Sequence, residues 1–225
     1  MSEKTKINIA IDGPSGAGKS SVSQKIAKKL GYISINTGSI YRVIAMNAIN
    51  NKANLNNEKE VIDLLKNVVI EPEKNDVIYF DGVNVSTLIR TKEISQGASA
   101  VAKHKLVREY VVNICQNLAK NKKGYVMDGR DTTFKILPFA EVKIFLTASP
   151  EARAKRRQQQ NEELGEKDTY DKVLKDIKDR DFQDMNRKVD PLHKTEDAIE
   201  IDCTNLTIDD VVNKIIALAK KVINE

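Results

Sequence analysis

Residues 13–20 read GPSGAGKS and match the pattern G-x-x-x-x-G-K-[ST] in full. Glycines at these positions let successive backbone N–H groups turn inward around a phosphate, and a following helix presents its positive end to the same anion. Lys19 then reaches the β- and γ-phosphates of a nucleotide, while the Ser20 hydroxyl is placed to ligate Mg²⁺ together with phosphate and water oxygens. The expected ATP site therefore comprises Gly13, Pro14, Ser15, Gly16, Ala17, Gly18, Lys19, Ser20 and Ser21. A second group of residues has the chemistry to hold an acceptor. Asn36, Thr37 and Arg42 follow one apolar run, and Asp128-Gly129-Arg130-Asp131 follow another. Arginine binds phosphate through paired hydrogen bonds, so Arg42, Arg130 and Arg187 make a candidate cage for a monophosphate. Each of the three taken singly is equally a surface arginine.

Such residues need a scaffold that brings them to one edge. Ile7, Ile9 and Ile11 alternate as a strand does, and Val22, Ile26, Ala27 and Leu30 recur at helical spacing before the helix stop Gly31. The motif thus lies between a strand and a helix, the context its chemistry requires. Residues 32–36 read as a second strand, and the helix after it has Thr37 available as N-cap. Two βα units in succession predict a parallel, doubly wound sheet, with further strands at 124–128, 142–147 and 198–202. Ligands bind at the carboxyl edge of such a sheet, where the acceptor candidates sit. Between residues 68 and 85 three short β-type runs are separated by the turn signals EKND and DG, predicting a small inserted antiparallel sheet. Ser149 and Pro150 open a helix whose far end, QQQNEELGEKD, is polar enough for a mobile flap. Tyr170, Val173, Ile177, Arg180, Asp184 and Arg187 fall on one helical face. That face is either a helix overhanging a charged cleft or a surface salt-bridge ladder.

Composition narrows the class. The chain has 225 residues, 40% of them hydrophobic, which suits one large domain with insertions. The opening MSEKTK runs straight into the first strand without the apolar stretch of a signal peptide, and Cys115 and Cys203 lack disulfide or zinc spacing. A cytoplasmic protein without membrane contact is expected. The net charge of +5 could suggest nucleic acid, yet there is one dense basic cluster, RAKRR, and only 5% of residues are aromatic. The interleaving of cations and stacking rings that single-strand binders use is missing, so no nucleic-acid partner is expected.

The motifs IDGPSGAGKSS, NTGSIYR, VSTLIRTKEIS, ASAVA, VRE, MDGRD, VKIFLTASPEARAKRR and RDFQDMNRKVDPL, taken in order, resemble those of the bacterial cytidylate kinases. The resemblance implies an α/β P-loop fold with a three-layer core. The whole chain, 1–225, would be one kinase domain, with a monophosphate-binding insert at about 66–95 and a short helical lid at about 156–168. It implies a monomer that transfers phosphate from ATP, with Mg²⁺, to CMP or dCMP. Matched by position, Thr37, Arg108 and Asp131 would contact the cytosine. Arg42, Arg130 and Arg187 would hold its phosphate, and Tyr41, Ser99 and Asp184 would line the sugar. Lys19, Arg130, Arg153, Arg157 and Arg180 would stabilise the transferring group. Three departures stand out: Asn36 where the family usually has aspartate, Thr133-Phe134 for glycine-threonine, and no proline in His104-Lys105-Leu106. Another P-loop small-molecule kinase, and a nucleotide-binding regulator without transfer activity, are the other readings of the same residues.

Overall fold

The computed structural model describes residues 6–120, 122–163, 165 and 168–224. Five parallel strands form its central sheet: β1 (Ile9–Asp12), β2 (Ile33–Asn36), β6 (Tyr125–Gly129), β7 (Val142–Thr147) and β8 (Ile199–Asp202), in the order β2-β6-β1-β7-β8. β1 and β6 are buried on both faces, as their largely apolar runs require, while β7 alternates buried and half-buried residues. On one face Ala10, Ile35 and Met127 pack beneath α2 (Thr37–Asn50), α4 (Lys92–Val101) and α5 (Lys105–Ala119). On the other, Ile9, Ile11, Val126 and Ile144 pack beneath α1 (Lys19–Leu30) and α8 (Ile208–Asn224). Among the described residues, no helix is long and apolar enough to cross a membrane.

Between α2 and α4 come α3 (Glu58–Asp63) and a three-stranded antiparallel sheet: β3 (Ile70–Pro72), β4 (Ile78–Phe80) and β5 (Val83–Asn84). Asp81 and Gly82 turn the β4–β5 hairpin with φ of 48° and 77°, the left-handed pair a tight hairpin needs. This sheet has no core of its own. Ile70, Ile78 and Val85 enter the same apolar cluster as α2 and α4. Its tip is tied to the first turn of α2 through Asp76, which accepts from the Ser39 hydroxyl at 3.2 Å; Asp76 also accepts from Arg90 at 2.5 Å.

Two expectations shift. Asn36, not Thr37, caps α2: its extended backbone (φ −89°, ψ 108°) lets the side chain accept from the Ser39 N–H at 3.0 Å. The polar run after residue 157 is helical further than its uneven charge suggested, because its Gln and Glu residues are sound helix formers. Residues 156–163 are the last turns of α6 (Pro150–Glu163), and α7 (Tyr170–Asn186) starts from an N-cap at Thr169. Residues 164, 166 and 167 of the expected lid, like residues 1–5, lie outside the described residues. α6 and α7 lie against each other through a small apolar patch of Ala154, Val173 and Ile177.

Gly13 carries the tightest backbone approach in the site region. A Cβ there would lie 1.9 Å from the Leu146 carbonyl oxygen of β7, whereas one at Gly18 would meet nothing within 4 Å. Gly13→Ala should therefore cost about 3 kcal/mol or more through displaced backbone. Gly18→Ala, with only its φ of 88° to strain, should cost about 1–2 kcal/mol. Urea denaturation of both variants checks this, and equal losses would count against the close approach.

Candidate active site

The loop from Gly13 to Gly18 leaves β1 and enters α1 directly at Lys19. The Lys19 ammonium is buried and curls back over the loop, donating to the Gly13 and Pro14 carbonyls at 2.8 Å each. Burial, and then the charge of Arg130, push it well below the ordinary lysine range, against the pull of Asp128 and Asp12. Arg153 supports the loop from beneath. Its guanidinium donates to the Ala148 carbonyl at 2.8 Å and the Ser15 carbonyl at 2.9 Å, and meets Asp181 of α7 at 2.7 Å. Asp181 in turn accepts weakly from the Ser15 N–H at 3.4 Å. Ser21 faces solvent on α1.

Parallel register sets the next layer. Asn36 stands beside Asp128, and Asp12 beside Gly129. The Ser20 hydroxyl donates to Asp128 Oδ2 at 2.9 Å, and the Asn36 amide donates to Ser20 Oγ at 2.5 Å and to Asp128 Oδ2 at 3.3 Å. Asp128 Oδ1 is buried with no hydrogen-bond partner among the described residues. Burial raises the Asp128 carboxyl to about 6, opposed by Lys19 and the Ser20 bond. A hydroxyl and one carboxylate, both hard oxygen donors beside a phosphate loop, suit Mg²⁺, which takes few protein ligands and fills the rest with phosphate and water. Among the described residues no cluster of three or more His, Cys, Asp or Glu could hold a metal alone.

Beyond β6 the chain makes a single π-helical turn over Thr132–Ile136. Asp12 fixes that turn, accepting from the Thr132 N–H, the Thr133 N–H and the Thr133 hydroxyl at 2.7–2.8 Å. Asp131, just before it, forms an ion pair with Arg108, both almost fully buried (2% and 1% exposed). The Arg108 guanidinium also lies over the Tyr41 ring, 5.7 Å from its centroid. Arg130 donates to Asp184 at 2.7 Å, and Arg187 approaches the other Asp184 oxygen at 3.8 Å. Arg187 reaches that position by leaving the helix: α7 ends at Asn186, one residue short of the expected face.

Arg42 stands apart from the Arg130–Asp184–Arg187 chain. Burial, then the charges of Arg180 and Arg90, lower it to about 10, with Arg157 adding to the same effect. Arg180 is lowered as well, by burial and then Arg130. The Nε atoms of Arg42 and Arg180, and the Tyr41 hydroxyl, are buried without hydrogen-bond partners among the described residues. Arg157 is exposed. The Ser99 hydroxyl turns to its own helix at Ser95, 3.4 Å away, and Thr37 donates to the Asp128 carbonyl at 3.0 Å. Three residues now stand out: Asp12 and Asp181, which carried no role in the sequence reading, and Asp128, grouped there with the acceptor candidates but paired here with Ser20 beside the phosphate loop. Asp12 and Asp128 had a signal, since each lies at a strand's carboxyl end beside a motif, but Asp181 had none.

A parallel sheet with a phosphate loop at its switch point, a Ser–Asp pair beside the loop, and an arginine-rich cleft across from it defines a P-loop kinase acting on a small phosphorylated acceptor. The profile of the cytidylate kinase family matches residues 9–221. The chain belongs to that family and is an ATP-dependent nucleoside monophosphate kinase. It is 55% identical to the cytidylate kinase of Mycoplasmopsis synoviae, over 96% of this chain and 99% of that one. With the cytidylate kinase of Caldicellulosiruptor saccharolyticus it shares 48% identity over 97% of both chains. The crystal structure of an uncharacterized protein from Eubacterium ventriosum has a similar fold, with a TM-score of 0.55 at 14% identity, covering 96% of this chain and 99% of that one.

The raised Asp128 carboxyl gives a pH test. Between roughly pH 4, where an unfolded aspartate ionises, and pH 6, the folded protein holds a proton that the unfolded chain has lost. Ionised Asp128 therefore lowers stability in full above about pH 6 and not at all below about pH 4. Asp128→Asn should gain in Tm relative to the unmodified protein, and the gain should shrink from pH 7.5 to pH 4. A difference in Tm that stays constant with pH would count against burial as the cause.

Proposed function

We propose that the chain transfers the γ-phosphoryl group of ATP to CMP or dCMP, giving ADP and CDP or dCDP. The buried Arg108–Asp131 pair beside Tyr41 carries this reading. Cytosine offers an exocyclic amine as donor, with N3 and O2 as acceptors. Asp131 accepts the amine hydrogen, Arg108 donates to the acceptor edge, and the Thr37 hydroxyl completes the base contact. Arg42, Arg130 and Arg187 hold the monophosphate, while Tyr41, Ser99 and Asp184 line the sugar. The three-stranded insert, about 66–95, closes the acceptor side.

A nonbridging oxygen of the monophosphate forms a bond to the γ phosphorus as the bond to the β,γ-bridging oxygen breaks in line, and ADP departs with that electron pair. The attacking oxygen is already ionised, so no strong base is needed, and rate comes from positioning and from positive charge. The P-loop, residues 13–18 with Ser20 and Ser21, cradles the ATP phosphates, and Lys19 follows the charge as it moves toward the leaving oxygens. Arg180 and Arg157 approach the transferred group from the α6–α7 side, with Arg130 across from them. Arg153 joins them, while its Nε and Nη1 brace the loop at Ala148, Ser15 and Asp181. Ser20 and Asp128 would hold Mg²⁺, which when bound offsets charge on the β- and γ-phosphates. The lid, about 156–168, covers ATP and excludes water. The chain works as a cytoplasmic monomer on small molecules, without nucleic acid; its two cysteines are buried and free.

Lys19→Ala should lower kcat at least about 10²-fold, the scale of losing one preorganised electrostatic contact. A coupled ADP-release assay measures it, and near-normal turnover in a folded variant would remove the loop lysine from the chemistry.

Base choice tests the acceptor assignment. Uracil presents a carbonyl to Asp131 and N3–H to Arg108, so both contacts become unfavourable. Buried groups left unpaired cost about 1–3 kcal/mol each. CMP should therefore exceed UMP in kcat/KM by at least about 10²-fold. Asp131→Asn should narrow that gap mainly by weakening CMP. Equal use of the two nucleotides by the unmodified protein would overturn the assignment.

A further inference from the structure

Asp190 lies past the end of α7, outside every group assigned above. It is a non-glycine residue in the left-handed region (φ 44°), a conformation aspartate tolerates better than most side chains. Its carboxylate and its carbonyl face different partners. Oδ2 accepts from Arg108 Nε at 3.1 Å, and Oδ1 meets the Lys135 ammonium at 3.3 Å. The backbone carbonyl accepts from Arg187 twice, from Nε at 2.8 Å and from Nη2 at 2.5 Å.

Arg108 has its remaining edges set as well: Nη1 donates to the Ala102 carbonyl at 3.1 Å, and Nη2 pairs with Asp131. A guanidinium is planar with five donors in fixed directions, so fixing Nε and Nη1 fixes where Nη2 points. Asp190 and Ala102 thus aim the fork at Asp131, and the same Asp190 residue holds Arg187 by its main chain. Lys135 opposes the pull of Arg108 on the carboxylate.

We infer that Asp190 is a positioning residue that joins the two halves of the acceptor site, its carboxylate orienting Arg108 for the base and its carbonyl orienting Arg187 for the phosphate. This rests on the assignment of Arg108 to the base and Arg187 to the phosphate made above. Its consequence is a separation: base discrimination follows the side chain, and phosphate affinity follows the backbone conformation. Outside Asp190 a cavity of about 300 Å³, lined in part by Lys105, Glu109, Lys135 and Val189, gives solvent a place to refill a truncated side chain.

Glycine at this position keeps the left-handed backbone and removes only the carboxylate. In D190G the ratio of kcat/KM for CMP over UMP should fall about tenfold, the scale of one charge-assisted hydrogen bond, through a raised KM for CMP. Inhibition by ribose 5-phosphate, which carries the phosphate without a base, should stay within about twofold, since the carbonyl contacts with Arg187 do not require the side chain. D190A, which disfavours the left-handed backbone, should weaken ribose 5-phosphate as well. D190N keeps the backbone and an acceptor oxygen, so its ratio should fall less, and it carries the test if the glycine variant does not fold. An unchanged CMP-over-UMP ratio in folded D190G overturns this inference alone. So does ribose 5-phosphate weakening as much as CMP in that variant, which marks general loosening. Equal use of CMP and UMP by the unmodified protein overturns the substrate assignment, and this inference with it.

Discussion

Asp12 is fully buried at the carboxyl end of β1, and both its oxygens are occupied by the turn that follows β6. A buried carboxylate is costly unless its lone pairs are satisfied, so the turn is not free to drift. This one residue joins the strand that starts the phosphate loop to the strand end and turn that carry Asp128, Arg130 and Asp131. The pairing register adds a second constraint, since Asn36 can only stand beside Asp128 while β2 and β6 keep their alignment. The donor side and the acceptor side of the site are thereby held within one rigid edge. Each side supplies its own charges, but their separation is set by β1 and β6.

The cleft then has to keep several cations close together without losing the fold. It does so by alternating them with carboxylates: Arg108 with Asp131 and Asp190, Arg130 with Asp184, and Arg153 with Asp181. Buried pairs of this kind contribute little net stability, because desolvation offsets most of the attraction. What they supply is direction, since each guanidinium is turned by a partner whose own place is fixed by a strand end or a helix. Among the described residues Arg42 and Arg180 lack such partners at Nε, and burial beside like charges lowers both. An anionic group between them would relieve that repulsion, which is the electrostatic character a phosphoryl-transfer site needs.

The sequence carried the strands and the phosphate loop most clearly because both are local. Alternating isoleucines before Gly13 and a helical repeat after Ser20 define β1 and α1 without reference to the rest of the chain, and the inserted sheet announced itself through its turn residues. The family motifs supplied the candidate acceptor residues, but not their pairing. That Arg108 and Asp131 contact one another depends on α5 crossing the end of β6, a tertiary fact with no trace at either position. Asp181 falls in an ordinary charged stretch, and only the packing of α6 against α7 brings it to Arg153 and Ser15. Likewise, the cap of α2 fell to Asn36 because β2 ends there, a distinction of one residue that propensity does not resolve.

The two flanking parts of the site differ in what holds them. The antiparallel insert shares its apolar residues with α2 and α4, so moving it as a body would expose Ile70, Ile78 and Val85 together. At about 25 cal/mol per Å² of apolar surface, uncovering three such side chains costs several kcal/mol. The α6–α7 pair is held by the smaller patch of Ala154, Val173 and Ile177 and by polar contacts from Arg153 and Asp181 to the loop. Elements with few buried apolar contacts open at lower free energy. Opening is therefore less costly on the α6–α7 side than on the side of the insert. The side that holds the fully buried Arg108–Asp131 pair is the better preorganised of the two.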